Sequence, residues 1–126
     1  MKSRGQIQAE IAEAVVRFER DFMGRGPTET RTLLLDDMVL VSLQGVMTPA
    51  EKQLASGCEK GTGRDLIKRV RSELIEGGRP LLEAIVEHAV GRKVVSLHTD
   101  ISTVTGERII LFTLESAPGE SVDPSE

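Results

Sequence analysis

An α+β fold, with a four-stranded and mainly antiparallel sheet and helices packed on one face, is what this 126-residue chain predicts. A strand–turn–strand pattern lies near each end, at about residues 29–44 and 93–115. Between and before these patterns lie four stretches of helical periodicity, at about 6–23, 49–56, 63–76 and 79–90. The length suits one domain, large enough for a core that needs no staples. Three Phe and no Trp or Tyr leave Leu, Ile and Val to build that core. The same scarcity argues against nucleic-acid modules that stack bases on aromatic platforms.

Each element has a local cause. In residues 6–23 the apolar residues Ile7, Ile11, Val15, Phe18 and Phe22 recur three and four apart, which makes one stripe. Gly24 and Gly26 suit a left-handed C-cap, and Pro27 prevents continuation. Asp36-Asp37 separates two runs rich in β-branched and apolar residues and should turn the first hairpin, so that Leu35 faces Met38 and Thr32 faces Val41. One face then carries Leu33, Leu35, Met38 and Leu40, the other Leu34, Val39, Val41 and Leu43. Both are apolar, whereas a sheet covered on one side alternates apolar with polar. A second subunit is the simplest cover.

Thr48-Pro49-Ala50-Glu51 is a capping box with Pro at the first helical position. The short helix that it opens should stop at Gly57. Thr62 should cap the next helix, where Leu66, Ile67, Val70 and Leu74 fall at helical spacing. Gly77-Gly78-Arg79-Pro80 should break or kink it before Leu81, Leu82, Ile85, Val86 and Ala89 resume the pattern. In the last hairpin a turn at Thr105-Gly106 places Ile101 opposite Ile110, Thr99 opposite Phe112 and Leu97 opposite Leu114. Residues 1–5 read as a flexible lead, 6–115 as one domain and 116–126 as a disordered acidic tail.

Net charge is −4, from 16 basic and 20 acidic residues. Glu115, Glu120, Asp123 and Glu126 carry the whole excess, so the preceding body is neutral and exerts no general pull on nucleic acid or anionic membrane. Cys58 is the lone cysteine, which rules out an internal disulfide and reads as an inert thiol. No apolar run approaches the roughly 20 residues of a membrane span. The opening residues do not read as a signal peptide, so the cytoplasm is the expected location.

Asp36-Asp37-Met38 runs into a strand, and Gly45-Val46-Met47-Thr48-Pro49-Ala50-Glu51-Lys52 opens a helix. Arg79-Pro80 lies within a later helical stretch, and His98-Thr99-Asp100-Ile101-Ser102 precedes Thr105-Gly106-Glu107-Arg108. In this order the segments resemble the small bacterial family named after MpsC, over roughly residues 6–115. The resemblance implies association with a cation-translocating, membrane-potential-generating system linked to uptake of inorganic carbon, through a namesake that is itself soluble. It brings no catalytic residues.

Two groups of side chains stand out as candidate sites. His98, Asp100 and Ser102 alternate along a strand and should share one face with Ile109 and Leu111. His98 and Asp100 could pair or hold a metal, but a metal wants three or four ligands and no others can be named. A polar sheet face bonded to its neighbours is the plainer account. Arg64, Lys68 and Arg71 form a basic stripe on a helix that follows Gly61-Thr62-Gly63, where phosphate, nucleotide or nucleic-acid backbone could dock. The Gly-Lys-Ser/Thr ending of a Walker loop is missing, and a solvated helix face accounts for the same stripe. Asp36 and Asp37 read as turn formers, and Ser102, Thr103 and Thr105 as turn chemistry.

The leading expectation is a non-enzymatic accessory or regulatory protein, a homodimer that docks peripherally on a membrane transport partner, with no cofactor and no metal. The alternatives are an anion or nucleic-acid binder using Arg64, Lys68 and Arg71, and a metal-dependent enzyme at His98 and Asp100.

Overall fold

A computed structural model describes residues 2–57 and 61–118. The elements are α1 (Arg4–Phe22), β1 (Glu29–Leu35), β2 (Met38–Gln44), α2 (Pro49–Gly57), α3 (Thr62–Val90), β3 (Val94–Ile101) and β4 (Arg108–Leu114). The strands form one antiparallel sheet in the order β1-β2-β4-β3. The two hairpins therefore join through β2 and β4, and the fold is α+β.

Helix α1 starts at Arg4, inside the lead expected to be flexible, because Ser3 caps it. The Gln6 amide donates to Ser3 Oγ at 3.1 Å, and the Ser3 amide donates to Gln6 Oε1 at 2.8 Å. The expected stripe holds for Ile7, Ile11, Val15 and Phe18, which are buried, while Phe22 is half exposed. Helix α2 has the expected capping box: the Glu51 amide donates to Thr48 Oγ1 at 3.1 Å, and the Thr48 amide to Glu51 Oε1 at 2.9 Å.

Three expectations about α3 are corrected. Thr62 is not its cap; Gly61 is, with φ +73°. The Gly-Gly-Arg-Pro run does not divide it, and one helix runs from Thr62 to Val90 with Pro80 inside. Gly78 serves packing instead. A Cβ there would lie 2.7 Å from Phe18 Cζ and 3.0 Å from Phe22 Cε1, so the missing side chain admits the Phe18–Phe22 stack, whose ring centroids are 5.0 Å apart. The apolar residues also divide between two faces. Ile67, Ile75, Leu82 and Val86 point inward, while Leu66, Val70, Leu74 and Leu81 are 39–56% exposed.

The first hairpin has the expected register, with Leu35 opposite Met38 and Thr32 opposite Val41, and Asp36 takes a left-handed φ of +51° in the turn. The second hairpin is displaced by two residues. Ile101 faces Arg108, Thr99 faces Ile110 and Leu97 faces Phe112. The connection is a six-residue loop rather than a two-residue turn at Thr105-Gly106. The Ser102 amide donates to the Glu107 carbonyl at 2.8 Å, and the Gly106 amide to the Ser102 carbonyl at 2.7 Å. A shift of two keeps every side chain on its face, but it puts a cation where an isoleucine was expected.

The core lies between the sheet and the helices. Leu34, Val39, Val41, Leu43, Ile101, Ile110, Phe112 and Leu114 meet the inward faces of α1 and α3 in one cluster. Both sheet edges are blunted. Gln8 Oε1 accepts from the Leu34 amide on β1 at 2.9 Å, and Glu87 Oε2 accepts from the Val94 amide beside an irregularity in β3. Arg92 bonds Ser116 Oγ and the Pro118 carbonyl, which ties the first residues of the expected tail to the end of α3. The rest of that tail (119–126) and Cys58 lie outside the described residues.

Candidate functional site

Four charged side chains meet where α1, α2 and α3 converge on β4. Arg108 sits mid-sheet between Leu43 and Ile101 and, by the alternation of its strand, points into the helical layer with Ile110, Phe112 and Leu114. It is 1% exposed. Glu19 follows Val15 by one helical turn and is fully buried, with Oε1 4.0 Å from Arg108 Nε. Arg71 lies between Ile67 and Ile75 on the inward face of α3. Its Nε and Nη2 donate to the two carboxylate oxygens of Glu51 at 2.9 and 2.8 Å, and Nη2 also donates to the Val46 carbonyl at 2.8 Å. Glu51 thus caps α2 with one face and fastens α2 to α3 with the other.

The two halves of this quartet differ in quality. Arg71 and Glu51 form a planar bidentate pair. Burial works against the Glu51 carboxylate, but the Arg71 and Thr48 hydrogen bonds hold its pKa below the usual range. Arg108 and Glu19 share no hydrogen bond, and both Glu19 oxygens, Arg108 Nε and Nη2, and Arg71 Nη1 are buried without a hydrogen-bond partner among the described residues. Burial pushes the Glu19 pKa up, against the attraction of Arg108 and Arg71. Burial likewise pulls Arg108 down from its usual value. Neither Glu19 nor Arg108 stood among the candidate site residues, although Arg108 closes the Thr105-Gly106-Glu107-Arg108 segment. The signal was their spacing alone, each in phase with buried apolar neighbours.

From this quartet a crevice of about 20 Å³ leads outward between α3 and β3–β4, lined by Lys68, Arg71, Ser72, Thr99, Asp100 and Arg108. Lys68 Nζ and Asp100 Oδ1 pair across its mouth at 3.0 Å. The Lys68 contact, with the Ile101 amide, holds Asp100 below its ordinary value.

The structure divides both sequence-derived groups. In the basic stripe, Lys68 and Arg71 belong to this crevice, with Arg71 buried and taken by Glu51, whereas Arg64 lines a separate groove of about 610 Å³ beside Lys52 and Thr105. The stripe therefore does not form one exposed basic surface. Among His98, Asp100 and Ser102, each has a different partner. His98 Nε2 is 3.2 Å from Ser96 Oγ, Asp100 pairs with Lys68, and Ser102 lies past the end of β3, where its Oγ accepts from the Thr105 amide. Among the described residues no three His, Cys, Asp or Glu side chains come together so as to hold a metal ion.

Among the described residues no element covers the sheet face away from the helices. Its rows read Leu35–Met38–Thr113–Ser96, then Leu33–Leu40–Leu111–His98, then Arg31–Ser42–Ile109–Asp100. Six apolar side chains occupy the middle and the β1 side, and the polar ones sit toward β3. Below them Glu107 accepts from Gln44 Nε2 at 2.6 Å and Ser42 Oγ at 3.3 Å. No helix among the described residues is long and apolar enough to cross a membrane.

Comparison with known proteins completes the description. The chain is 42% identical over 113 residues to the uncharacterized protein YbcI of Bacillus subtilis (strain 168), covering 90% of this chain and 89% of that one. It is 23% identical over 108 residues to the uncharacterized protein YrhF of the same organism, covering 84% and 85%. No solved structure matches. The profile of the family described as "Na+-translocating membrane potential-generating system (MpsC)" matches residues 3–116, nearly all of the described fold, and the chain belongs to the MpsC family.

Proposed function

We propose that this protein is a non-enzymatic accessory or regulatory component of a cation-translocating, membrane-potential-generating system, and that it works in the cytoplasm as a homodimer docked peripherally on its membrane partner. The family description supports the link to such a system. The absence of a spanning helix among the described residues makes a peripheral contact the natural one. The observation that carries the reading is the uncovered apolar sheet face.

A second copy suits that face. Both edges are blunted, so pairing by edge extension is disfavoured and face-to-face packing remains. A two-fold axis parallel to the strands and between β2 and β4 sets each row against itself reversed. Leu40 then meets the partner's Leu111, and Arg31 meets the partner's Asp100, a cation against an anion. An axis across the strands would instead set Arg31 against the partner's Leu35. Four strands about 4.8 Å apart and seven residues at about 3.4 Å give roughly 450 Å² of plan area per copy. Side-chain relief brings the pair to the order of 1,000 Å², the lower bound for a specific interface.

Light scattering on the purified protein at micromolar concentration should give twice 13.7 kDa. Leu40→Glu should give a folded monomer. Arg31→Asp should weaken the dimer, and Arg31→Asp with Asp100→Arg should restore it. A wild-type monomer under these conditions refutes the dimer. For the partner, the dimer should sediment with vesicles that contain the cation-translocating complex and stay in solution with vesicles of the same lipids alone. Equal behaviour with both refutes the docking.

A further inference from the structure

We propose that His98 makes the face-to-face dimer sensitive to pH, so that a proton on its imidazole drives the two copies apart. The inference rests on the dimer reading above and names what regulates that same interface.

The chain has two histidines, and His98 is the one on the uncovered sheet face, His88 lying on α3. An imidazole is the side chain that changes charge between pH 5 and 8. His98 is exposed and stands in the row Leu33–Leu40–Leu111–His98. Within one copy its surroundings suit either form. Nε2 lies 3.2 Å from Ser96 Oγ, which in turn meets Thr113 Oγ1, so the hydroxyl pair donates to a neutral ring or accepts from a charged one. Leu111 beside it on β4 carries no charge. Asp100, two residues along β3, is already paired with Lys68 of α3 at 3.0 Å.

A second copy changes these surroundings. The two-fold axis that sets Leu40 against the partner's Leu111 also sets His98 against the partner's Leu33. It brings the partner's Arg31 one row away, opposite Asp100. The partner's Glu29 and the partner's Asp36 lie at the two ends of that strand, each beyond the rows next to His98, and Glu107 lies past Asp100 with Gln44. A charged imidazole therefore exchanges water for a leucine and acquires a guanidinium neighbour. Asp100 would have to serve three cations at once: Lys68, the partner's Arg31 and His98. A neutral imidazole keeps its Ser96 contact and gives up far less. Both changes disfavour the charged ring in the dimer. By linkage, association is at full strength above the pH at which the separate copy takes up its proton, and it weakens as the pH falls below that point. Each dimer covers two such rings, so the dissociation constant rises by at most about a hundredfold per pH unit.

Sedimentation equilibrium of the full-length protein at about pH 7.5 and about pH 5.5 tests this. The wild type should dimerise at the higher pH and associate at least roughly tenfold more weakly at the lower. His98→Gln, neutral and still able to hydrogen-bond, should give the tighter constant at both. His98→Arg, a permanent cation, should be as weak at the higher pH as the wild type is at the lower. His98 is exposed, so both variants keep the core intact. His88→Gln should respond as the wild type does. A wild-type dimer with the same constant at both pH values overturns the inference and leaves the dimer reading standing. A pH response that persists in His98→Gln belongs to another group, such as Glu19 on the other side of the sheet, and also overturns it. So does a His98→Arg dimer as tight as the wild type. Wild-type monomers at both pH values overturn the inference and the dimer together.

Discussion

Replacing Arg108 by methionine while keeping Glu19 isolates the weaker half of the buried quartet. At 4.0 Å and an effective dielectric constant near 20, the pair attracts by about 4 kcal/mol. No hydrogen bond supplements that attraction. Each buried ion loses several kcal/mol of hydration, so the pair as a whole does not recover what its burial costs. Arg108→Met removes the attraction and leaves Glu19 buried beside apolar neighbours, which should destabilise the fold by about 3–5 kcal/mol. Replacing both, Arg108→Met with Glu19→Leu, removes both hydration losses and should be neutral or stabilising by about 1–4 kcal/mol. Urea unfolding at neutral pH, fitted as a double-mutant cycle, measures the coupling. If the two single changes add to the effect of the double, Glu19 and Arg108 do not act on one another and the electrostatic account of this site is wrong.

Neighbouring glycines of α3 should respond with opposite sign. Gly77→Ala meets nothing nearer than Phe22 Cζ at 4.0 Å and should stabilise by about 0.5–1 kcal/mol through helix propensity. Gly78→Ala drives into the Phe18 ring and should lose about 1–3 kcal/mol to overpacking before the same propensity gain. Equal urea midpoints for the two would remove the packing role given to Gly78. Thr48→Ala should cost about 1 kcal/mol, read as a lower thermal midpoint, because it removes one arm of the capping box. For pH, Glu51 is depressed, so its contribution is complete above 4.5 and disappears as the pH falls through its folded value. Glu19 is raised, so its cost is complete above the raised value and fades as the pH falls toward 4.5. The stability of Glu19→Gln minus that of the wild type, followed by urea midpoint, should therefore shrink on acidification from neutral pH; a constant difference counts against a raised Glu19.

Local chemistry was legible wherever it closed on itself. Pro49 starts its helix where the capping box requires, and Asp36-Asp37 pins the first hairpin to the residue. The second hairpin slipped by two because alternation alone does not distinguish registers that differ by an even number. The loop bonds of Ser102, Gly106 and Glu107 make that choice. Gly77 to Pro80 misled because helix-breaking propensity is local, whereas the demand for a notch at Gly78 comes from Phe18, far away in sequence. On α3, Leu66, Val70 and Leu74 suggested an inward face, but apolar residues surround more than half of that helix and periodicity could not choose between Ile67 and its neighbours. The site suffered most. Charge by itself reads as solvent-facing, which places Arg71 on a surface stripe and hides Glu19 and Arg108, although each keeps step with a buried row. His98, Asp100 and Ser102 looked like a cluster because strand spacing brings them near, yet side-chain bonding disperses them.

The strand order has a bearing on how the chain is made. Residues 38–43 of the early hairpin pair with residues 108–113 near the far end. During synthesis the early hairpin has only α1 to cover its inner side until β4 has left the ribosome. Closure of that late seam is the step that turns local ribbons into a sheet, and contacts so distant along the chain form slowly. A nascent chain stalled before β4 emerges would be the species most in need of a chaperone.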